Sequence, residues 1–198
     1  MALQATSGNL PSSALYVVAG GGNNARATLD AIAHGASAGS TIFNDANAYA
    51  NDIYGIVQNL KTHGAQNIIV WNTPNLGTAP GLLAGGQLSS FLGTLTADAM
   101  NAALSTKLAG VSGVKIFDIY GIGNLPGAAA FTNKTSACGS DNIGCDTSLF
   151  WDAIHPTTAA HGFIANQMFA LAVPEPSEIA MMLMGLLVVV GASRRKTA

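Results

Sequence analysis

Three short apolar runs rich in β-branched and aromatic residues constrain this chain most. They are Ala14 to Ala19 (Ala-Leu-Tyr-Val-Val-Ala), Asn67 to Trp71 (Asn-Ile-Ile-Val-Trp) and Val114 to Ile119 (Val-Lys-Ile-Phe-Asp-Ile). Two stretches of helical pattern separate them. Ala46 to His63 places Ile53, Ile56, Val57 and Leu60 on one face before Gly64 stops it, and Ser89 to Leu108 is a second amphipathic segment. Strands alternating with helices require an α/β architecture with a parallel sheet and helices on its faces. The unbroken apolar character of Ala14 to Ala19 predicts a strand buried on both faces.

The connections carry the chemistry. Gly20-Gly21-Gly22-Asn23-Asn24 comes directly after the first run and reads as a glycine-rich turn, which brings backbone N–H groups and short amides to the carboxyl edge of the sheet, where open α/β folds bind ligands. Asn72-Thr73-Pro74-Asn75-Leu76-Gly77 is a turn after the second run, and Gly121 to Asp146 reads as a long irregular segment. Near the end of the body stands Phe150-Trp151-Asp152-Ala153-Ile154-His155-Pro156-Thr157. An Asp three residues before a His can hold the imidazole in one tautomer while the His removes a proton from a nucleophile. The same spacing also arises in surface turns and caps. Pro156 keeps His155 out of a helix and starts one that the alanine-rich run from Thr157 to Leu171 continues. His161 is expected to pack on that helix, and His34 and His63 to lie on the surface near helix ends. No metal constellation or phosphate loop occurs, so no cofactor is expected.

Composition excludes some classes. The chain is 49% hydrophobic and only 9% charged, with a net charge of −2. Three of its eight basic residues, Arg194, Arg195 and Lys196, sit at the very end, which leaves the body acidic and without an electrostatic footprint for nucleic acid. The two cysteines, Cys138 and Cys145, flank a small polar loop. A disulfide in an oxidising compartment would close it, free thiols in an ordinary loop are the alternative, and two thiols alone make a poor zinc site.

The chain divides after residue 172. Val173-Pro174-Glu175-Pro176-Ser177 is a stiff polar break, Ile179 to Ala192 is an apolar run, and the basic cluster closes the sequence. A helix over 179–192 reaches only ~21 Å, short of the ~30 Å of a hydrocarbon core, so a processed sorting segment fits better than a stable span. Residues 1–172 are read as the folded domain. No basic start followed by an apolar run marks a secretory leader at Met1.

With these motifs in view, the body resembles the SGNH (GDSL-type) lipase and esterase family. Gly21-Gly22-Asn23-Asn24 after a buried strand is similar to that family's Gly-x-Asn-Asp block, with Asn24 in place of the final Asp. Asp152 and His155, in their Phe-Trp-Asp-x-x-His-Pro-Thr setting, are similar to its Asp-x-x-His block. The resemblance implies a three-layer α/β/α flavodoxin-like fold and ester hydrolysis through a Ser-His-Asp triad, with His155 as general base, Asp152 orienting it and Asn23 donating to the oxyanion. It implies an acyl-ester substrate, a lipid or an acetylated saccharide. The tail resembles the PEP-CTERM sorting signal, which implies export, an exosortase-type sorting enzyme as partner and passage through the membrane by the C-terminal helix.

The family's nucleophilic serine belongs to a Gly-Asp-Ser block on the first strand, and no such block precedes Ala14. The chain therefore reads as the carboxyl-terminal part of such a hydrolase, retaining strands 3-4-5 of the 2-1-3-4-5 order. In that arrangement the Ala14 strand becomes an edge. The competing reading is a catalytically inactive surface module that keeps the hydrolase scaffold for binding or anchoring.

Overall fold

The computed structural model describes residues 8–141 and 144–172. The sorting segment expected over 173–198, with its apolar helix at 179–192, lies outside the described residues. In chain order the elements are β1 (Leu15–Val18), α1 (Gly22–Ala33), α2 (Ala38–Thr62), β2 (Asn67–Trp71), α3 (Pro80–Ala84), α4 (Gly86–Leu108) and β3 (Val114–Phe117). They are succeeded by β4 (Asn133–Ala137), the single turn α5 (Cys138–Asp141), β5 (Ser148–Phe150) and α6 (Thr158–Ala172). The first three strands form a parallel sheet in the order β1-β2-β3, and β4 and β5 form a separate two-stranded parallel pair. Register is regular, with Val17 opposite Ile69 and Ile69 opposite Lys115.

Alternation along the strands assigns the two faces. Tyr16, Val18, Ile68, Val70 and Val114 pack on Tyr49, Ile53 and Val57 of α2 and on Met100, Leu104 and Leu108 of α4. The opposite face carries Ile69, Trp71 and Phe117, which meet Ile164, Met168 and Leu171 of α6. Trp71 donates its indole N–H to the Met168 sulfur at 3.2 Å, and Lys115 reaches the Leu171 carbonyl at 2.8 Å, a cation on the C-terminal end of α6.

β1 is an edge strand among the described residues. The expectation that it is buried on both faces is wrong. Leu15 and Val17 remain 46% and 42% exposed because α6 covers β2 and β3 and stops short of β1. The glycine-rich stretch also differs from the turn expected. Gly21 makes the turn at φ 106°, and α1 begins at Gly22, so Asn23 and Asn24 are helical residues. A Cβ at Gly21 would lie 2.7 Å from the Thr73 hydroxyl, so only glycine fits beneath this entry. α2 starts well before Ala46, because Ile42 is buried on the same face as Ala46 and Tyr49. The segment 121–146 is not wholly irregular, since it contains β4 and α5. Pro156 stays outside α6 and bridges to Phe150 instead. His161 is exposed rather than packed. No helix among the described residues is long and apolar enough to cross a membrane.

The two faces differ in what a truncation removes. Ile68→Ala, at a fully enclosed site, is expected to cost ~2–5 kcal/mol in urea unfolding, and Leu15→Ala less than ~1 kcal/mol. Equal losses would mean that the outer face of β1 is covered in solution.

Candidate active site

The turn between β5 and α6 is built around one carboxylate. Asp152 Oδ1 accepts from the backbone N–H groups of Ile154 (2.8 Å) and His155 (2.7 Å), and its Oδ2 faces His155 Nδ1 at 2.7 Å. Trp151 donates its backbone N–H to the His155 carbonyl at 2.8 Å and closes the same turn. Thr157 then fixes the exit. Its buried hydroxyl donates to the Ser148 carbonyl at 2.8 Å and accepts from the Ala160 backbone N–H at 3.0 Å, capping α6. These bonds explain why His155-Pro156-Thr157 comes after Asp152. Proline breaks the turn away from helix, and threonine restarts the helix one residue later.

The pair is open to solvent, with side-chain exposures of 66% for His155 and 38% for Asp152. Three donors lower the Asp152 carboxyl to about 2 from its ordinary 3.8, the Ile154 N–H first, then the His155 side chain and its backbone N–H. An ionised carboxylate against Nδ1 favours a proton on that nitrogen and leaves Nε2 as the accepting atom. Among the described residues no hydroxyl hydrogen-bonds to His155, whose partners are the Asp152 carboxylate and the Trp151 N–H.

The surrounding loops lie at the carboxyl edge of the sheet, clamped by amides. Asn72 Oδ1 accepts from the backbone N–H groups of Ile119 (2.8 Å) and Tyr120 (3.0 Å), and its Nδ2 donates to Asp118 at 2.7 Å. Asn101 grips Thr73 through both backbone groups, at 2.7 and 2.9 Å. Asn75 accepts from the Gly77 N–H and the Thr94 hydroxyl. The loop after β2 leads into α3, which docks on the Asp152 turn through a 2.9 Å bond from the Gly81 N–H to the Ala153 carbonyl. On the other side the Gly139 N–H donates to the Trp151 carbonyl at 3.0 Å, and Cys138 and Cys145 are joined by a disulfide that closes this second loop.

Of the residues singled out from the sequence, the structure brings Asp152 and His155 together and joins Cys138 to Cys145. Asn23 sits exposed in the first turn of α1, after the carboxyl end of β1, and no hydrogen bond links it to Asp152 or His155. Sequence reasoning missed the asparagine clamps and the α3 wall. Asparagines directly after an apolar strand were the available signal, and nothing local announced α3. No group of three or more metal-ligating side chains exists among the described residues.

A parallel α/β sheet with an Asp-held imidazole in a turn beside its loops leaves one ring nitrogen free to accept a proton. Residues 3–168 match the family described as GDSL-like Lipase/Acylhydrolase, and the chain belongs to that family. No curated protein matches the chain.

The Asp152 cradle has a titration consequence. Because its folded pKa is depressed, the cradle's contribution to stability is fully present above pH ~4 and is lost as pH falls toward 2. Carbon-detected NMR titration of the Asp152 carboxyl should give a midpoint near 2. A midpoint at the ordinary aspartate value would show that the three donors do not converge on it.

Proposed function

We propose that this chain carries the base half of a serine ester hydrolase. The observation that bears this reading is the Asp152–His155 contact at 2.7 Å in an exposed turn at the carboxyl edge, in a chain of the GDSL-like lipase/acylhydrolase family. In the reaction, His155 Nε2 takes the proton of a serine hydroxyl as the oxygen attacks the ester carbonyl carbon. The imidazolium that forms is stabilised by Asp152. It returns that proton to the departing alcohol as the carbon–oxygen bond breaks, and a water activated in the same way releases the acid.

Asn23 is the proposed side-chain donor to the tetrahedral oxyanion. Its place in the first turn of α1, beside backbone N–H groups with no intrahelical partner, suits developing negative charge, and such a donor contributes ~3 kcal/mol to the transition state. The serine is proposed to come from a Gly-Asp-Ser block that the sequence does not contain. The scaffold is proposed to be the three-layer SGNH arrangement, with β1, β2 and β3 in the places of its strands 3, 4 and 5. Export to the cell surface, with sorting through 173–198 by an exosortase-type enzyme, belongs to the same proposal. The Cys138–Cys145 disulfide supports the export, since such bonds persist in oxidising compartments.

One observation favours the alternative of an inactive surface module, namely that no hydroxyl among the described residues bonds to His155. Fluorophosphonate labelling decides between them. The product of the gene's whole open reading frame should be labelled at one serine in a Gly-Asp-Ser block, and His155→Ala should abolish the label. The 198-residue chain alone should hydrolyse a chromogenic acetate ester no faster than its His155→Ala variant. A labelled serine inside the 198 residues would contradict the proposed source, and no labelled serine in either protein would leave the binding scaffold.

A further inference from the structure

A groove of about 700 Å³ opens directly beside Asp152. One wall is the aliphatic α3, with Pro80, Leu83 and Ala84, and the other is the β4 side, with Thr135 and Ser136. Trp151 stands in it 57% exposed. Both walls are fastened to the backbone on either side of Asp152, α3 through Gly81 to Ala153 and the disulfide loop through Gly139 to Trp151. Glycine is required at 139 and leaves close contact at 81. A Cβ at Gly139 would stand 2.8 Å from the Trp151 carbonyl, and one at Gly81 would stand 3.2 Å from the Ala153 methyl. The groove is therefore a built feature of the Asp152 turn.

Its chemistry is two-sided. An indole and three aliphatic side chains offer flat apolar contact. The Thr135 and Ser136 side-chain hydroxyls and the Trp151 indole N–H make no hydrogen bond among the described residues. A fatty acyl chain needs enclosure and would leave these polar groups desolvated without partners. A pyranose ring presents C–H faces to an indole and equatorial hydroxyls at its rim, which matches an open groove with one apolar and one hydroxyl wall.

We infer that the groove formed by α3, Thr135, Ser136 and Trp151 binds the glycosyl part of the ester substrate, so that the ester handled at His155 is one on a saccharide. This rests on the reading of His155 as the base of an ester hydrolase, but the groove can be tested without turnover. The 198-residue chain has two tryptophans, and the Trp71 indole N–H is already held by Met168, so its NMR signal serves as an internal reference. Titration with partially O-acetylated xylotetraose should move the Trp151 indole signal saturably and leave that of Trp71 in place. Trp151→Ala should weaken binding by calorimetry about tenfold or more, whereas Trp151→Phe, which keeps a flat ring, should stay within about threefold.

His155→Ala should bind the saccharide unchanged. An absent shift, or a saturable shift with decanoate but not with the saccharide, would overturn the assignment and, in the second case, make the groove an acyl pocket. A saccharide shift in a protein whose whole reading frame yields no labelled serine would keep the groove and remove the hydrolase. A labelled serine without a saccharide shift would do the reverse.

Discussion

The Asp152 carboxylate is the interaction on which the rest of the site depends. Its oxygens take two backbone N–H groups and face one imidazole nitrogen within three residues of chain, so the direction of His155 is set by local contacts. The next residues are fixed in turn: Pro156 bridges to Phe150, Thr157 caps α6, and α6 covers one face of β2 and β3. The turn thus connects the core to the site. Charge–charge attraction is a minor part of this, because both side chains are exposed and water screens them; the fixed backbone donors do more.

The same economy of charge runs through the carboxyl edge. With only 9% charged residues, the chain holds its loops by amides and hydroxyls. Asn72, Asn75 and Asn101 each satisfy two or three backbone or side-chain groups, and a bond of this kind contributes ~1 kcal/mol net while sparing a buried polar group the larger cost of going unpaired. Beneath Gly21 the hydrogen bonding is less complete. Tyr49 Oη and Thr73 Oγ1 are buried without a hydrogen-bond partner of good geometry, and burial raises the Tyr49 phenol, with the neighbouring Thr73 hydroxyl offsetting part of the rise. Two polar side chains packed against a positive-φ glycine hold the entry to α1 in one shape, at some cost in stability.

Much of this fold was legible in the sequence, and the failures have physical reasons. The three strands were readable because continuous β-branched runs have few other uses, and their parallel order came from the helices between them. α1 was missed because Gly22, Asn23 and Asn24 are residues of turns, and its buried contacts are only Ala25 and Thr28, too small a stripe to show as periodicity. The exposure of Leu15 and Val17 was not legible because a strand's sequence does not say how far a helix distant in the chain will reach across it. β4 was hidden in the polar run Asn133 to Ala137, which pairs with β5 only at its two ends and bulges between them, where Asn133 bonds the Ser136 backbone and the Ser148 hydroxyl. At the site, Asp152 and His155 were legible from local spacing alone. The groove was not, since its walls come from α3, β4 and the Asp152 turn, which only the tertiary fold brings together.

Base catalysis at this site requires Asp152 to hold His155 with Nε2 free to accept a proton. The tautomer of the neutral His155 ring measures this directly, through long-range proton–nitrogen NMR correlations on uniformly ¹⁵N-labelled protein. The expected result is the Nδ1–H form, with Nε2 at the chemical shift of an unprotonated ring nitrogen, and loss of that preference in Asp152→Ala. A neutral ring protonated at Nε2 in the unsubstituted protein would contradict it.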